Sequence, residues 1–357
     1  MAKYKFEPDY ALIPGETIRE VIEQKSLSQA ELSRRTGLTE KTVSQLLSGI
    51  APITYEIAAK LELALGIPAR FWNSREMMYR ESLVRLEEAK HLESAIEWLK
   101  LIPVPVLIER NLISASADKS MLVRSVLKFF GVSSIEAWHE AWGNPCVQCR
   151  GGEAHDRHPG YVAAWLRIGE LQAEAVEARP YDAAKFREVL VRLRSLTNLD
   201  IGDWAKEVKR QCAEAGVVVI FTKEIDRAGI SGATRWLTKD RALIQLSLKY
   251  KSGDQLIFTF FHEAGHILLH GKKKVFMEFG HHRDTPEEQE ANKFAGDLLI
   301  PPEHARRLPY LRTRFQIEEF AKLLEVAPEI VVGRLQHDGL VFNSAFRDLK
   351  RKVDWKT

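Results

Sequence analysis

At 357 residues the chain is well beyond the ~150 typical of one domain, so two or more domains are expected. Hydrophobic residues at 45% and charged residues at 28% exclude a disordered or collagen-like chain, and three cysteines exclude a disulfide framework. Lys+Arg 52 against Asp+Glu 49 leaves only +3, too little to argue for nucleic acid by bulk charge, so any such role must rest on local features. The longest apolar runs, such as Val217 to Phe221, fall far short of the ~20 residues that cross a bilayer. The polar start MAKYKFEPDY has no signal-peptide core, so a cytoplasmic protein with no membrane partner is expected.

Residues 15 to about 82 read as short helices with brief turns. Ile18, Val21 and Ile22 share one helical face, Ser28 caps Gln29 to Thr36 with Glu31 at the capping-box position, Thr39 caps Glu40 to Leu47, and Thr54 starts a helix that ends near Ala64. Residues 76 to 100 predict one long charged helix, and helical patterning continues to about Leu199 around the turn-rich GNPCVQCRGGEAHDRHPG. Near Gly216 the pattern changes. Val217 to Phe221, Ala233 to Leu237 and Ala242 to Leu248 predict a small sheet, followed by helices from about Gln255 to His270 and from about Pro286 to Leu299. QIEEFAKLLEVAPEIVVGRLQHDGL repeats a helix, turn, helix pattern, and RDLKRKVDWK reads as a solvated basic tail.

LSQAELSRRTGLTEKTVSQLLSG has the tight turn and polar second helix that a helix-turn-helix reader needs. Ala30 suits a helix crossing, and Leu32, Leu38, Val43 and Leu46 supply a buried side. Gln29, Thr42, Ser44 and Gln45 can bond base edges, whereas Arg34, Arg35 and Lys41 suit phosphates. The first 80 residues carry 11 basic and 10 acidic side chains, so one module should bind weakly, and a homodimer on two half-sites is the physical remedy. The segment from PGETIREVIEQK to ALGIPARFW resembles the Cro/C1-type (XRE) helix-turn-helix domain of HigA-type antitoxins. The resemblance implies binding to operator DNA and a toxin as a candidate partner.

FTFFHEAGHILLH contains H-E-x-x-H. On a helix His262 and His266 fall on one face and can share a zinc ion, with Glu263 placed to take a proton from water. A third ligand should come from a following helix, and EEQEANKFAGDLLIP offers Glu290, with Glu287 in reserve and Glu288 read as projecting elsewhere. His270 reads as a supporting or surface residue. HEAGHILLH followed by EANKFAGDLLIP resembles the ImmA/IrrE family of zinc metallopeptidases, over about residues 160 to 345. That resemblance implies His262, His266 and Glu290 as Zn2+ ligands, Glu263 as general base, a short sheet packed on helices, and a helix-turn-helix repressor among the substrates.

Cys146, Cys149, His155 and His158 have the residue types of a second zinc site, but their spacing favours a loop with free thiols and surface histidines. Cys212 reads as a core thiol, and His281 and His282 as loop residues that could rim a cleft. The expected fold is α+β, mainly α: a helix-turn-helix domain at 1–82, a helical connector at 83–159, a zincin-like domain at 160–345 and a basic tail at 346–357. The expected function is a DNA-binding regulator whose zinc peptidase domain cuts a repressor or antitoxin. The alternative is an antitoxin or repressor that senses a ligand or holds a toxin without proteolysis.

Overall fold

The computed structural model describes residues 10–90, 92–143, 158–249, 251–272, 275–278 and 285–354. Cys146, Cys149, His155, His281 and His282 lie outside the described residues. The described chain is mainly helical with one four-stranded sheet, as expected for α+β. It divides into two compact units. The first takes in residues up to 97 together with 116–123, and the second takes in 98–115 and everything from 124 onward.

The first unit is built from α1 (Pro14–Gln24), α2 (Gln29–Thr36), α3 (Glu40–Leu47), α4 (Tyr55–Leu65) and α5 (Ala69–Lys90). Its helix starts are set locally. The hydroxyls of Ser28, Thr39 and Thr54 accept the backbone N–H groups of Glu31, Thr42 and Ile57, satisfying donors that the helix itself leaves unpaired. Ile18, Ile22, Leu32, Val43, Leu46, Leu61, Leu65 and Trp72 form its core. Two local expectations fail. Ala30 is exposed rather than at a helix crossing, and the long helix expected over 76–100 begins earlier, at Ala69, with a separate α6 (Leu92–Leu99) after it.

In the second unit, α7 (Val104–Glu109), α8 (Lys119–Phe130, whose first residues belong to the first unit) and α9 (Ile135–Trp138) precede α10 (Pro159–Glu174), α11 (Ala183–Ser195) and α12 (Ile201–Glu214). The strands β1 (Val217–Phe221), β2 (Gly232–Thr238), β3 (Arg241–Leu246) and β4 (Phe276–Glu278) pair in the order β1-β3-β2-β4. β1 runs parallel to β3, while β2 is antiparallel to both β3 and β4. Both faces of the central strands are covered. Val217, Val219, Ala242, Ile244 and Leu246 join the main core with α13 (Gly253–Leu269), whereas Val218, Ile220 and Leu243 pack with Ala173 at the end of α10. The period of two in side-chain direction explains how one strand serves two layers. Gln245, fully buried on the α10 side, donates to the carbonyl of Trp165 at 2.7 Å.

α14 (Pro286–Leu299), the short α15 (Pro302–Ala305), α16 (Arg314–Leu324) and α17 (Pro328–His337) complete the unit. The basic end, expected as a solvated tail, is packed instead. Val353 is buried, Lys350 Nζ lies 2.6 Å from Asp254 Oδ2, and Arg351 donates to the buried Glu329 and to the carbonyls of Thr197 and Leu199. Two buried carboxylates need cations, and these two basic side chains supply them. Among the described residues, no helix is long and apolar enough to cross a membrane.

Candidate functional site

α13 is buried over nearly its whole length, and His262, Glu263 and His266 are 2%, 0% and 1% exposed. A polar trio in such a place requires partners. The two imidazoles bring their Nε2 atoms to 3.0 Å, and Glu288 Oε2 lies 3.1 Å from the first and 3.5 Å from the second. Ligands ~2.0–2.1 Å from zinc at tetrahedral angles sit about 3.3 Å from one another, so these three atoms fit one ion. His262, His266 and Glu288 form a cluster able to hold a metal among the described residues.

The third member corrects the sequence reading, which placed Glu290 there. Glu290 Oε2 lies 3.2 Å from His270 Nε2 instead, on a side chain that is 63% exposed. At about 100° per residue, positions 288 and 290 project some 200° apart, so one helix cannot turn both to the same point. Glu288 heads the buried stripe Glu288, Ala291, Ala295, Leu299, and that stripe is the face seated on α13. The stripe was the signal in the sequence: an acid at the head of an apolar i, i+3, i+7 series is carried inward. The close seat depends on Gly265, where a Cβ would lie 3.3 Å from Ala291 Cα.

Glu263 faces the sheet. Its Oε2 accepts the Thr234 hydroxyl at 2.5 Å, while its Oε1 is buried with no hydrogen-bond partner. A bare, desolvated carboxylate oxygen is costly unless a ligand or water meets it. Gly232 on β2 makes room for it, since a Cβ there would stand 2.6 Å from Oε1. Burial pushes the Glu263 carboxyl up to about 8, against the pull of His262 and Thr234. Desolvation also opposes charge on His262, yet Glu288, Glu263 and Glu278 outweigh it and raise the imidazole, while desolvation holds His266 below its usual value. Glu288 is held low because its bonds to both imidazoles outweigh its burial.

Supporting contacts surround the trio. His262 Nδ1 lies 2.9 Å from Asn292 Oδ1, His266 Nδ1 lies 2.9 Å from His270 Nδ1, and the Phe276 ring stacks on His266 at 4.1 Å. Thr234, Gly232, Asn292 and the whole of β4 were not foreseen. A cleft of about 630 Å3 opens beside His262, bordered by Phe258, Thr259 and Glu278, and its lining continues to Arg334 and Lys350. A cleft of this size falls in the range of ligand-binding pockets.

In the first unit, Gln29, Arg34, Arg35, Lys41 and Ser44 are exposed, and Thr42 and Gln45 are partly so. Glu31 engages Arg34 at 2.6 Å and Arg35 at 2.9 Å rather than closing a capping box. Such exposed pairs are weak, so both guanidiniums can exchange Glu31 for an anion. Of the remaining candidates, Cys212 is fully buried and its thiol is pushed up by desolvation. His158 precedes α10 with its ring near Tyr161.

Comparison with known proteins agrees with this division. Residues 18–72 match the helix-turn-helix family model, and residues 212–336 match that of the IrrE N-terminal-like domain. An uncharacterised helix-turn-helix-type transcriptional regulator of Escherichia coli K12, YddM, is 34% identical over 59 residues, covering 16% of this chain and 63% of that protein. The chain thus spans under two thirds of that relative's length. Two solved structures are also similar: a candidate antidote protein of a plasmid maintenance system from Nostoc punctiforme and a HigA-family addiction module antidote protein from Coxiella burnetii. Both are 22% identical and cover 24% of this chain, with 94% and 92% of their own lengths matched and TM-scores of 0.23 and 0.22. The chain therefore joins an XRE-type helix-turn-helix domain to an IrrE/ImmA-like, metallopeptidase-like domain.

Proposed function

We propose that the protein is a DNA-binding regulator whose second unit is a zinc-dependent peptidase acting on a regulatory protein, a repressor or an antitoxin. The observation that carries the reading is Glu263 Oε1, buried and unpartnered next to a His, His, Glu donor set. Zinc, when bound, supplies a Lewis acid that polarises a peptide carbonyl and acidifies water. His262 and His266 present Nε2, and Glu288 presents Oε2, as the ligands. Glu263 takes the proton of the attacking water at Oε1 and passes it to the departing amine nitrogen, while Thr234 holds the other oxygen still. Burial raises the proton affinity of the Glu263 carboxyl, the direction that helps it take a proton from water.

On the DNA side, Gln29, Thr42, Ser44 and Gln45 are assigned to base edges and Arg34, Arg35 and Lys41 to phosphates. Near-neutral net charge makes one module a weak binder, so a homodimer spanning two half-sites is part of the reading. The test is Glu263→Gln expressed beside its cognate repressor or antitoxin. Zinc content should stay at the wild-type level and cleavage should disappear. Undiminished cleavage would sink the mechanism, and capture of the partner without cleavage by the wild type would leave a binding domain.

A further inference from the structure

We propose that His270 is a positioning residue for the metal centre: tied to Glu290 on one side and His266 on the other, it fixes which His266 nitrogen carries hydrogen and leaves Nε2 bare. The inference rests on the zinc reading above and adds to it a chain of three side chains.

Donors and acceptors must alternate along this chain of side chains. His266 Nδ1 and His270 Nδ1 stand 2.9 Å apart, so one must carry a hydrogen and the other must not. His270 Nε2 lies 3.2 Å from Glu290 Oε2, and an ionised carboxylate only accepts, which makes that nitrogen the donor. Neutral imidazole has a single N–H, so His270 Nδ1 is bare and accepts from His266 Nδ1–H. His266 Nε2 is then left with its lone pair, 3.5 Å from the Glu288 oxygen. His262 is prepared by another route: its Nδ1 faces the Asn292 carbonyl oxygen at 2.9 Å and keeps its hydrogen, so the proton it gives up to an ion is the one on Nε2.

Packing holds the geometry in place. The His270 side chain is only 6% exposed, and the Phe276 ring lies 4.1 Å from the His266 ring and 5.1 Å from that of His270. Neither imidazole can turn over without displacing Phe276. His270 leaves the helix at its C-cap in an extended conformation, which is how it reaches back to His266 while still meeting α14.

The test compares two variants. His270→Leu keeps the packing under Phe276 but removes the acceptor, whereas His270→Asn keeps an acceptor at the δ position. Zinc affinity is measured by chelator competition, and imidazole 15N shifts of the zinc-free protein report which His266 nitrogen is protonated. Wild type and His270→Asn should show the Nδ1–H form and bind zinc within a few-fold of each other. His270→Leu should show mixed forms and lose 10–100-fold in affinity, the range for losing a ligand's supporting partner. Equal affinity in wild type and His270→Leu, or an equal loss in both variants, overturns the proposal. If the wild type takes up no zinc, the metal reading fails, and the 15N shifts still decide the positioning claim: an Nε2–H form in wild type refutes it.

Discussion

Replacing Glu288 with Gln separates the structural ligand set from the one that the sequence favours. Zinc held at 100 times its dissociation constant stabilises the folded form by RT ln(1 + 100), about 2.7 kcal/mol. For a domain of this size 1 kcal/mol moves the midpoint by ~2–4 °C, so zinc should raise the second unit's midpoint by about 5–11 °C over a chelator-treated sample. Glu288→Gln removes one of three protein ligands, and the affinity loss should exceed the ~100-fold known for supporting partners. At the same zinc concentration the linkage then falls to RT ln 2 or less, about 0.4 kcal/mol, and the zinc shift shrinks to about 1 °C. Glu290→Gln keeps an acceptor for His270 and should keep nearly the whole shift. The comparison is made within each variant by calorimetry with and without zinc, because Glu288→Gln also removes the nearest of the carboxylates around His262 in the zinc-free form. A full zinc shift in Glu288→Gln, or its loss in Glu290→Gln, would refute the register of α14 described above.

Gly232→Ala should cost ~1–3 kcal/mol by overpacking and displace Glu263 while zinc content stays unchanged; wild-type stability in calorimetry would contradict the 2.6 Å approach. The pH dependence of zinc uptake follows from His262, which is raised to about 9 although burial alone would lower it, because Glu288, Glu263 and Glu278 outweigh desolvation. That proton must leave for the ion to bind, so affinity should climb about tenfold per pH unit from 7 to 9 and flatten above, as chelator competition would register. In the zinc-free protein the sign reverses: a raised imidazole stabilises the fold below its unfolded value near 6.5, and that contribution fades as pH rises through 9. Arg351→Ala strands Glu329, which is 1% exposed, and should cost about 3 kcal/mol in urea unfolding; a neutral result would mean that the basic end is not packed. Lys41→Ala should weaken duplex binding at every sequence and lower the salt slope by about 1, whereas an unchanged slope would remove it from the phosphate contacts.

Features fixed by neighbours in sequence were legible before any coordinates. Ser28, Thr39 and Thr54 announce helix starts because a cap needs only a hydroxyl and an N–H two or three residues on. His262 and His266 could be paired for the same reason, since one helical turn brings them together. Glu288 could not be settled by spacing alone. Its choice over Glu290 depends on which face of α14 meets α13, a tertiary fact that the stripe through Ala291 and Ala295 only hints at. β4 has three residues and leaves no periodicity to read, yet it brings Phe276 and Glu278 to the site. The packed basic end was missed because Arg351 finds Glu329 across 22 residues, and no local pattern distinguishes a paired cation from a solvated one.

α14 alone contributes Glu288 against His262 and His266, Asn292 against His262, and Glu290 against His270. These attachments sit on a single helix. A small roll of that helix would uncouple the acid, the amide and the carboxylate in the same movement, while its return over Gly265 would re-engage all of them. The integrity of the His, His, Glu cluster is thus tied to the seating of α14 as a whole rather than to any one of its side chains.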